Sequence, residues 1–235
     1  MRGFDPVLFD LDGTVVDTVE LIVLSFRHAV RTVLGEDLPD EQITAGVGQP
    51  LMAQMERLSP EHAQELYDVY REYNHRRHDE LIRVFGGVAD ALAALRSAGR
   101  RLGIVTSKSR DTTAMAFAAV GMRDAFDVVV TATDTQAHKP SAEPILLCLE
   151  RLAARPHATT PALPAIYIGD SPVDIEAGKA AGIATAAVAW GVFGRAALLR
   201  AGPDFWLQRP DELVDLCLRG EGRAARDAVA VPPAG

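Results

Sequence analysis

Short apolar runs and helical periodicities alternate along this chain, and their order predicts its architecture. Val7-Leu8-Phe9 is a continuous apolar run, the signature of a strand buried on both faces in a parallel sheet covered by helices. After Thr14 the pattern changes, with Val19, Ile22, Val23, Phe26, Val30 and Val33 recurring at helical spacing until Gly35. From there to about Val84 the spacing predicts helices only, over Glu41 to Ala45, Leu51 to Leu58 and Pro60 to Leu81. The last of these is rich in charge and carries Tyr67, Tyr70 and Tyr73. From Val88 onward helix and strand alternate as in βαβ units. Helices are expected at Val88 to Ala98, Asp111 to Val120, Ala142 to Ala153 and Asp174 to Ala181. Strands are expected at Arg101 to Val105, Val128 to Val130, Ala165 to Ile168 and Thr185 to Val188, with a weaker edge strand at Phe205 to Leu207.

This order describes an α/β protein with a doubly wound, Rossmann-like parallel sheet, formed by residues 1–16 and 84–219. An all-helical cap, residues 17–83, interrupts it after the first strand and hangs on two linkers, Val15-Val16-Asp17 and Val84-Phe85-Gly86-Gly87. Residues 220–235, with Pro232-Pro233 and little apolar content, are expected to be poorly ordered. In such sheets ligands bind beyond the carboxyl ends of the strands, so the chemistry is sought there.

Composition narrows the partners. With 235 residues, 48% of them hydrophobic, the chain can bury one sizeable core and carry an accessory piece. A net charge of −8 and a pI of about 5.2 argue against nucleic acid as a partner, because polyanion binding rests on surplus Lys and Arg. A small phosphorylated ligand is compatible, since a bound divalent cation and a few lysines reverse the sign locally. Cys148 and Cys217 lie in apolar helical patterns and read as free core thiols in a reducing compartment. No apolar signal segment precedes the first strand, and no apolar stretch approaches the ~20 residues of a membrane span. A cytoplasmic protein without membrane association, monomeric or homodimeric, is expected.

Two strands end in carboxylates. After Phe9 comes Asp10-Leu11-Asp12-Gly13-Thr14, and alternation along an extended chain puts Asp10 and Asp12 on one side. Carboxylates rarely stand at the mouth of a core strand unless paired or bound to metal. A Mg²⁺ site fits them, as does a carboxylate nucleophile served by a second carboxylate, and the two are compatible. The alternative is a turn that merely contains two aspartates. Ile166-Tyr167-Ile168-Gly169 likewise ends in Asp170, with Asp174 one helical turn later, suited to a hydrated Mg²⁺ or to capping the helix. Thr106-Ser107-Lys108-Ser109 follows another strand and offers hydroxyls and N–H groups at a helix entry, as an anion site or an ordinary cap. Lys139 is held extended by Pro140.

The sequences around Asp10 and Asp170, with Thr106 and Lys139 between them, resemble the four motifs of the haloacid dehalogenase superfamily, and the resemblance covers residues 1–16 and 84–219. It implies a Mg²⁺-dependent phosphatase acting on a small phosphorylated metabolite. Asp10 would then be the nucleophile that becomes an aspartyl phosphate, and Asp12 the general acid and base. Thr106 would hydrogen-bond the transferring phosphoryl group, and Lys139 would neutralise it and the nucleophile. Asp10, the backbone carbonyl of Asp12, and Asp170 would ligate Mg²⁺, with Asp174 orienting its waters. Ser107 and Lys108 are expected on the substrate, Lys108 as in the phosphoglycolate phosphatase-like branch. The cap, tethered at the sheet edge, is expected to select the leaving group through the turn Gly46-Val47-Gly48-Gln49-Pro50, Gln49 above all, and through Arg76 or Arg77.

The cap-closing segment lacks the Pro that many relatives carry before Gly-Val. Thr185 to Gly191 and Pro203-Asp204-Phe205 resemble phosphoglycolate phosphatases and pyrophosphatases alike, which leaves the branch open. A sugar-phosphate mutase of the same superfamily shares every residue above. A phospho-accepting receiver domain is the remaining alternative, and the helical insert and the chain length weigh against it.

Overall fold

The computed structural model of the chain describes residues 3–44, 46–155 and 163–228. Strand β1 (Val7–Phe9) is followed by β2 (Val16–Asp17), the helices α1 (Val19–Leu34), α2 (Asp40–Thr44), α3 (Leu51–Leu58) and α4 (Ala63–Leu81), and then β3 (Arg83–Val84). Helix and strand alternate from there: α5 (Val88–Ser97), β4 (Leu102–Val105), α6 (Arg110–Ala119), β5 (Val128–Val130), α7 (Glu143–Ala153), β6 (Ile166–Gly169), α8 (Pro172–Ala180), β7 (Ala184–Val188), α9 (Arg195–Ala201) and β8 (Phe205–Leu207). The described chain closes with α10 (Glu212–Val214), β9 (Arg223–Ala224) and α11 (Ala225–Ala228). Seven strands form one sheet in the order β5-β4-β1-β6-β7-β8-β9, parallel except for β9.

The central strand shows why its sequence is apolar without a break. Val7 and Phe9 join a cluster with Leu92, Leu95, Ala116 and Phe117 on the α5/α6 face, while Leu8 faces Cys148, Leu152, Tyr167 and Ala177 on the α7/α8 face. Every residue of β1 is buried, because helices cover both sides. Helix α7 lies directly on the strands: a Cβ at Gly103 would stand 2.6 Å from both Cys148 Sγ and Leu8 Cδ2. The two cysteines are free and buried, and burial pushes both thiols up to about 12. Among the described residues no helix is long and apolar enough to cross a membrane.

The insert packs around its own apolar cluster, which includes Phe26, Val30, Met55, Leu66 and Tyr70. Phe26 meets Tyr70 edge-on with ring centroids 4.9 Å apart, tying α1 to α4. A buried polar contact adds to that seam: Asn74 Nδ2 donates to Ser25 Oγ at 3.2 Å, and Ser25 Oγ donates to the Leu21 carbonyl at 2.6 Å. The linkers pair with each other as an antiparallel ribbon, Val16 opposite Val84 and Asp17 opposite Arg83. Both ends of the insert therefore leave the sheet at one place.

Two expectations are corrected. The helix expected from Pro60 begins with a 3₁₀ turn, Pro60–His62, before α4 takes over. The segment expected to be disordered is ordered as far as residue 228: β9 pairs with β8, and Ala225 packs with Trp206, Leu198 and Ile175. Two strand residues and one alanine are too few to show a periodicity, which is why composition alone misleads there. Ala45 and residues 229–235 lie outside the described residues.

The close approach at Gly103 is testable. Gly103→Ala should lower stability by about 1–3 kcal/mol, the usual effect of overpacking a filled core. Urea unfolding would measure it, and an unchanged midpoint would mean that α7 does not rest on the strand as described.

Candidate active site

The site forms where three adjacent strands, β4, β1 and β6, end side by side. Asp10 follows β1 directly and is anchored by its own N–H, which donates to the Ile168 carbonyl at 2.9 Å. The residue is only 3% exposed. Lys139, equally buried, donates from Nζ to Asp10 Oδ1 at 2.8 Å and to Asp174 Oδ1 at 2.7 Å. Asp174 spends its other oxygen on the start of α8, accepting from the Ser171 N–H at 3.0 Å and the Ser171 hydroxyl at 2.5 Å. It is thus both cap and ion-pair partner. Asp170, after β6, accepts from the Val192 N–H at 2.8 Å and from the Thr14 hydroxyl at 3.4 Å. The backbone of Gly13, at φ 80°, passes so close that a Cβ there would collide with the Asp170 carboxylate, which only glycine permits.

The electrostatics follow from a deficit of positive charge. Asp10, Asp170 and Asp174 offer carboxylate oxygens within 4.8 Å of one another, with one buried ammonium among them. Burial works against the charge on Lys139, but Asp10 and Asp174 outweigh it and hold the ammonium above its ordinary range. The acids must share that one cation. Burial, opposed by Lys139 and reinforced by Asp174, pushes Asp10 up to about 7. Burial, then Asp174 and Asp10, raise Asp170 well above the carboxylate range. Three hard oxygen donors short of positive charge fit a divalent cation such as Mg²⁺.

Thr106, after β4, is buried and lines the cavity beside Asp10 and Asp12. The helix cap expected in this stretch falls on Ser109, whose Oγ accepts from the Thr112 N–H, so the Thr106 hydroxyl is not consumed by capping α6. Asp12 Oδ1 takes hydrogen bonds from Lys108 Nζ at 2.6 Å and from the Thr18 hydroxyl at 2.8 Å. Ser107 donates to the Gly48 carbonyl at 2.6 Å and so ties the sheet edge to the turn of the insert. Ser107 and Lys108, expected on a substrate, both line the cavity, but their polar ends are engaged by Gly48 and Asp12.

Over these residues the insert roofs a cavity of about 270 Å³. Gln49 lines it and is braced by Arg57 and Gln54. Arg76 and Arg77 do not line it. They pair with Glu72 and Glu80 on the outer side of α4. Helical phase is the reason: Tyr67, Tyr70, Arg71, Asn74 and His75 form the stripe that faces inward, and 76 and 77 fall off it. Three further contributors carry no signal in the sequence. Tyr167 accepts from Lys139 at 3.2 Å, and its hydroxyl donates to the Val105 carbonyl at 2.9 Å with Asp174 Oδ1 at 3.1 Å as the competing acceptor. Burial, then Asp174 and Asp10, keep that phenol protonated. The Val192 N–H and Arg71 are the other two.

Residues 7–188 match the haloacid dehalogenase-like hydrolase family, and the chain belongs to it. Pyrophosphatase PpaX of Bacillus pumilus is 38% identical over 210 residues, spanning 89% of this chain and 94% of that one. Among solved structures, a haloacid dehalogenase-like hydrolase from Bacteroides fragilis superposes with a TM-score of 0.79 at 25% identity, over 89% of this chain and 99% of that chain. A protein described as a β-phosphoglucomutase from Thermotoga maritima superposes with a TM-score of 0.68 at 27% identity, over 91% and 98%.

The raised Asp10 has a signed consequence in cation-free buffer. An unfolded aspartate ionises near pH ~4, whereas the folded Asp10 holds its proton to about 7. Between those values the unfolded state binds fewer protons, so this group's contribution to stability falls as pH rises and is flat above. The stability of wild type relative to Asp10→Asn should therefore decline from about pH 4 to about pH 7 in chemical denaturation. Added Mg²⁺ should raise the wild-type melting temperature more at about pH 8 than at about pH 5, because in acid it must first displace protons. A relative stability that climbs over the same window would show that Asp10 is not held protonated.

Proposed function

We propose that the protein is a Mg²⁺-dependent phosphohydrolase that cleaves a P–O bond of a small phosphorylated compound through an aspartyl phosphate on Asp10. One observation carries this reading: a carboxylate buried at the end of a core strand lines a cavity, with an ammonium 2.8 Å from one of its oxygens. Asp10 Oδ2, which takes no hydrogen bond among the described residues, is the attacking atom in this reading. It displaces the leaving oxygen from phosphorus, and Asp12 gives that oxygen a proton. Water then attacks the phosphorus of the aspartyl phosphate, Asp12 takes the water's proton, and Asp10 is released as a carboxylate. The Thr106 hydroxyl donates to a phosphoryl oxygen, and Lys139, held in place by Asp174 and Tyr167, neutralises charge on Asp10 and the phosphoryl group. Mg²⁺, held by Asp10, Asp170 and the Asp12 carbonyl with Asp174 orienting its waters, would supply electrostatic stabilisation of the phosphoryl oxygens.

The cavity of about 270 Å³ suits a small substrate, and in this reading the insert acts as the cap that selects the leaving group. The neighbour described as a mutase keeps onward phosphoryl transfer as a second reading, in which an acceptor hydroxyl replaces water. The identity to pyrophosphatases over nearly the whole chain favours hydrolysis, and family membership argues against a receiver domain.

Steady release of inorganic phosphate from pyrophosphate and a panel of small esters, dependent on Mg²⁺, is the expected result. Asp10→Asn should abolish it while leaving the fold intact. Asp12→Ala should slow it by roughly 10²–10⁴-fold, with phosphoenzyme accumulating on activated aryl phosphates. Substantial turnover by a deamidation-free Asp10→Asn protein would remove Asp10 as nucleophile, and product in which phosphate has moved to a second hydroxyl would favour the mutase.

A further inference from the structure

Of the residues that the insert contributes to the cavity lining, Arg71 alone carries a fixed charge. The others are apolar, aromatic or neutral, and His75 is among the neutral ones because burial, with Arg71 beside it, lowers its pKa below the ordinary value. A lone cation in the roof runs against composition, for the chain holds 32 acidic and 24 basic residues. It also runs against the treatment of most other arginines of the insert: Arg27, Arg31, Arg76 and Arg77 each meet a carboxylate of the insert, while Arg57, outside the cavity lining, donates to the Gln49 side chain. Arg71 meets no carboxylate among the described residues. Its guanidinium donates to the Tyr67 hydroxyl at 3.3 Å and lies 5.6 Å from the centre of that ring, and Tyr67 lines the cavity too. The contacts hold the group in place without neutralising it.

The floor of the cavity is different. There Lys108 is paired with Asp12 and Lys139 is shared between Asp10 and Asp174, so each cation of the floor already has a carboxylate partner. A phosphoryl group at Asp10 leaves its leaving group to extend toward the roof, where the one unpaired charge is a planar guanidinium suited to phosphate or carboxylate. An uncharged leaving group would enclose that cation under the roof without a counter-ion, at an energetic penalty that disfavours it.

We infer that Arg71 determines specificity by binding an anionic leaving group, so that the substrate carries two anionic groups: the phosphoryl group transferred and a second phosphate or carboxylate a few bonds away. The inference rests on the phosphohydrolase reading above and adds to it the chemical class of substrate. A second phosphate describes pyrophosphate, and a carboxylate describes a phosphorylated hydroxy acid such as phosphoglycolate.

The full-length protein with Mg²⁺ should be assayed on pyrophosphate, 2-phosphoglycolate and ethyl phosphate, as wild type, Arg71→Gln and Arg71→Lys. Wild type should prefer one of the two doubly anionic compounds over ethyl phosphate, and which one identifies the second anion. Arg71→Gln should reduce that preference, as a ratio of kcat/KM values, by about tenfold or more, mostly through KM, and Arg71→Lys should restore part of it. If Arg71→Gln fails to fold, Arg71→Lys carries the test, because a point charge without the planar fork should still weaken the preference. Wild type that favours ethyl phosphate, or variants that slow all three substrates alike, would overturn the role of Arg71. Failure of wild type to release phosphate from any of the three would remove the phosphohydrolase reading itself, and this inference with it.

Discussion

The structure turns on the ammonium of Lys139. It stands among three buried carboxylates and touches two of them, Asp10 and Asp174. Burying a charge is tolerable only when it is paired and hydrogen-bonded, and here the pairing is incomplete. One ammonium cannot satisfy three acids, so Asp10 and Asp170 are held closer to neutrality than aspartates usually are. The surrounding fold enforces the crowding. Three neighbouring strands end at the same level, the Gly13 turn presses on Asp170, and Tyr167 braces the lysine from the middle of β6. Without the lysine the cluster would be a concentration of buried negative charge; without the acids the lysine would be an unpaired cation in the core.

The insert and the sheet edge meet over this cluster at a few well-defined points. The Ser107 hydroxyl reaches across to the Gly48 carbonyl, and the β2–β3 ribbon gathers both linkers at one place. Enclosure and access are therefore governed by short contacts between the Gly46–Pro50 turn and the loop after β4, while the apolar seam between α1 and α4 keeps the roof itself rigid.

Much of this is legible in the chain. Asp10, Asp12 and Asp170 stand out because a buried apolar run rarely stops at a carboxylate that lacks a cation to meet, and strand alternation gives the side on which the first two project. Lys139 is legible only through resemblance, since its local sequence says no more than that it precedes a proline. The rest is hidden for physical reasons. Tyr167 reads as core in a buried strand, and its role depends on which face β6 turns toward α8. The Val192 N–H carries no residue identity at all. Arg71 gives way to Arg76 and Arg77 in a reading of the sequence because α4 is charged all round, and its inward stripe, being partly polar, leaves no apolar phase to count from. The ordered β9 escapes because two residues cannot display a period.

That last strand has a consequence for the protein in a crowded solution. A parallel sheet ends in unpaired backbone donors and acceptors, which can recruit a strand from another chain. Here one margin is β5, three residues long, and the other is closed by the antiparallel turn of chain that lays β9 along β8 and tucks Ala225 beneath it. Among the described residues, what remains open at that margin is two residues, one of them Arg223. So short a rim, carrying a charge, makes a poor template for edge-to-edge pairing, and it is supplied by a segment whose composition suggests it would do nothing.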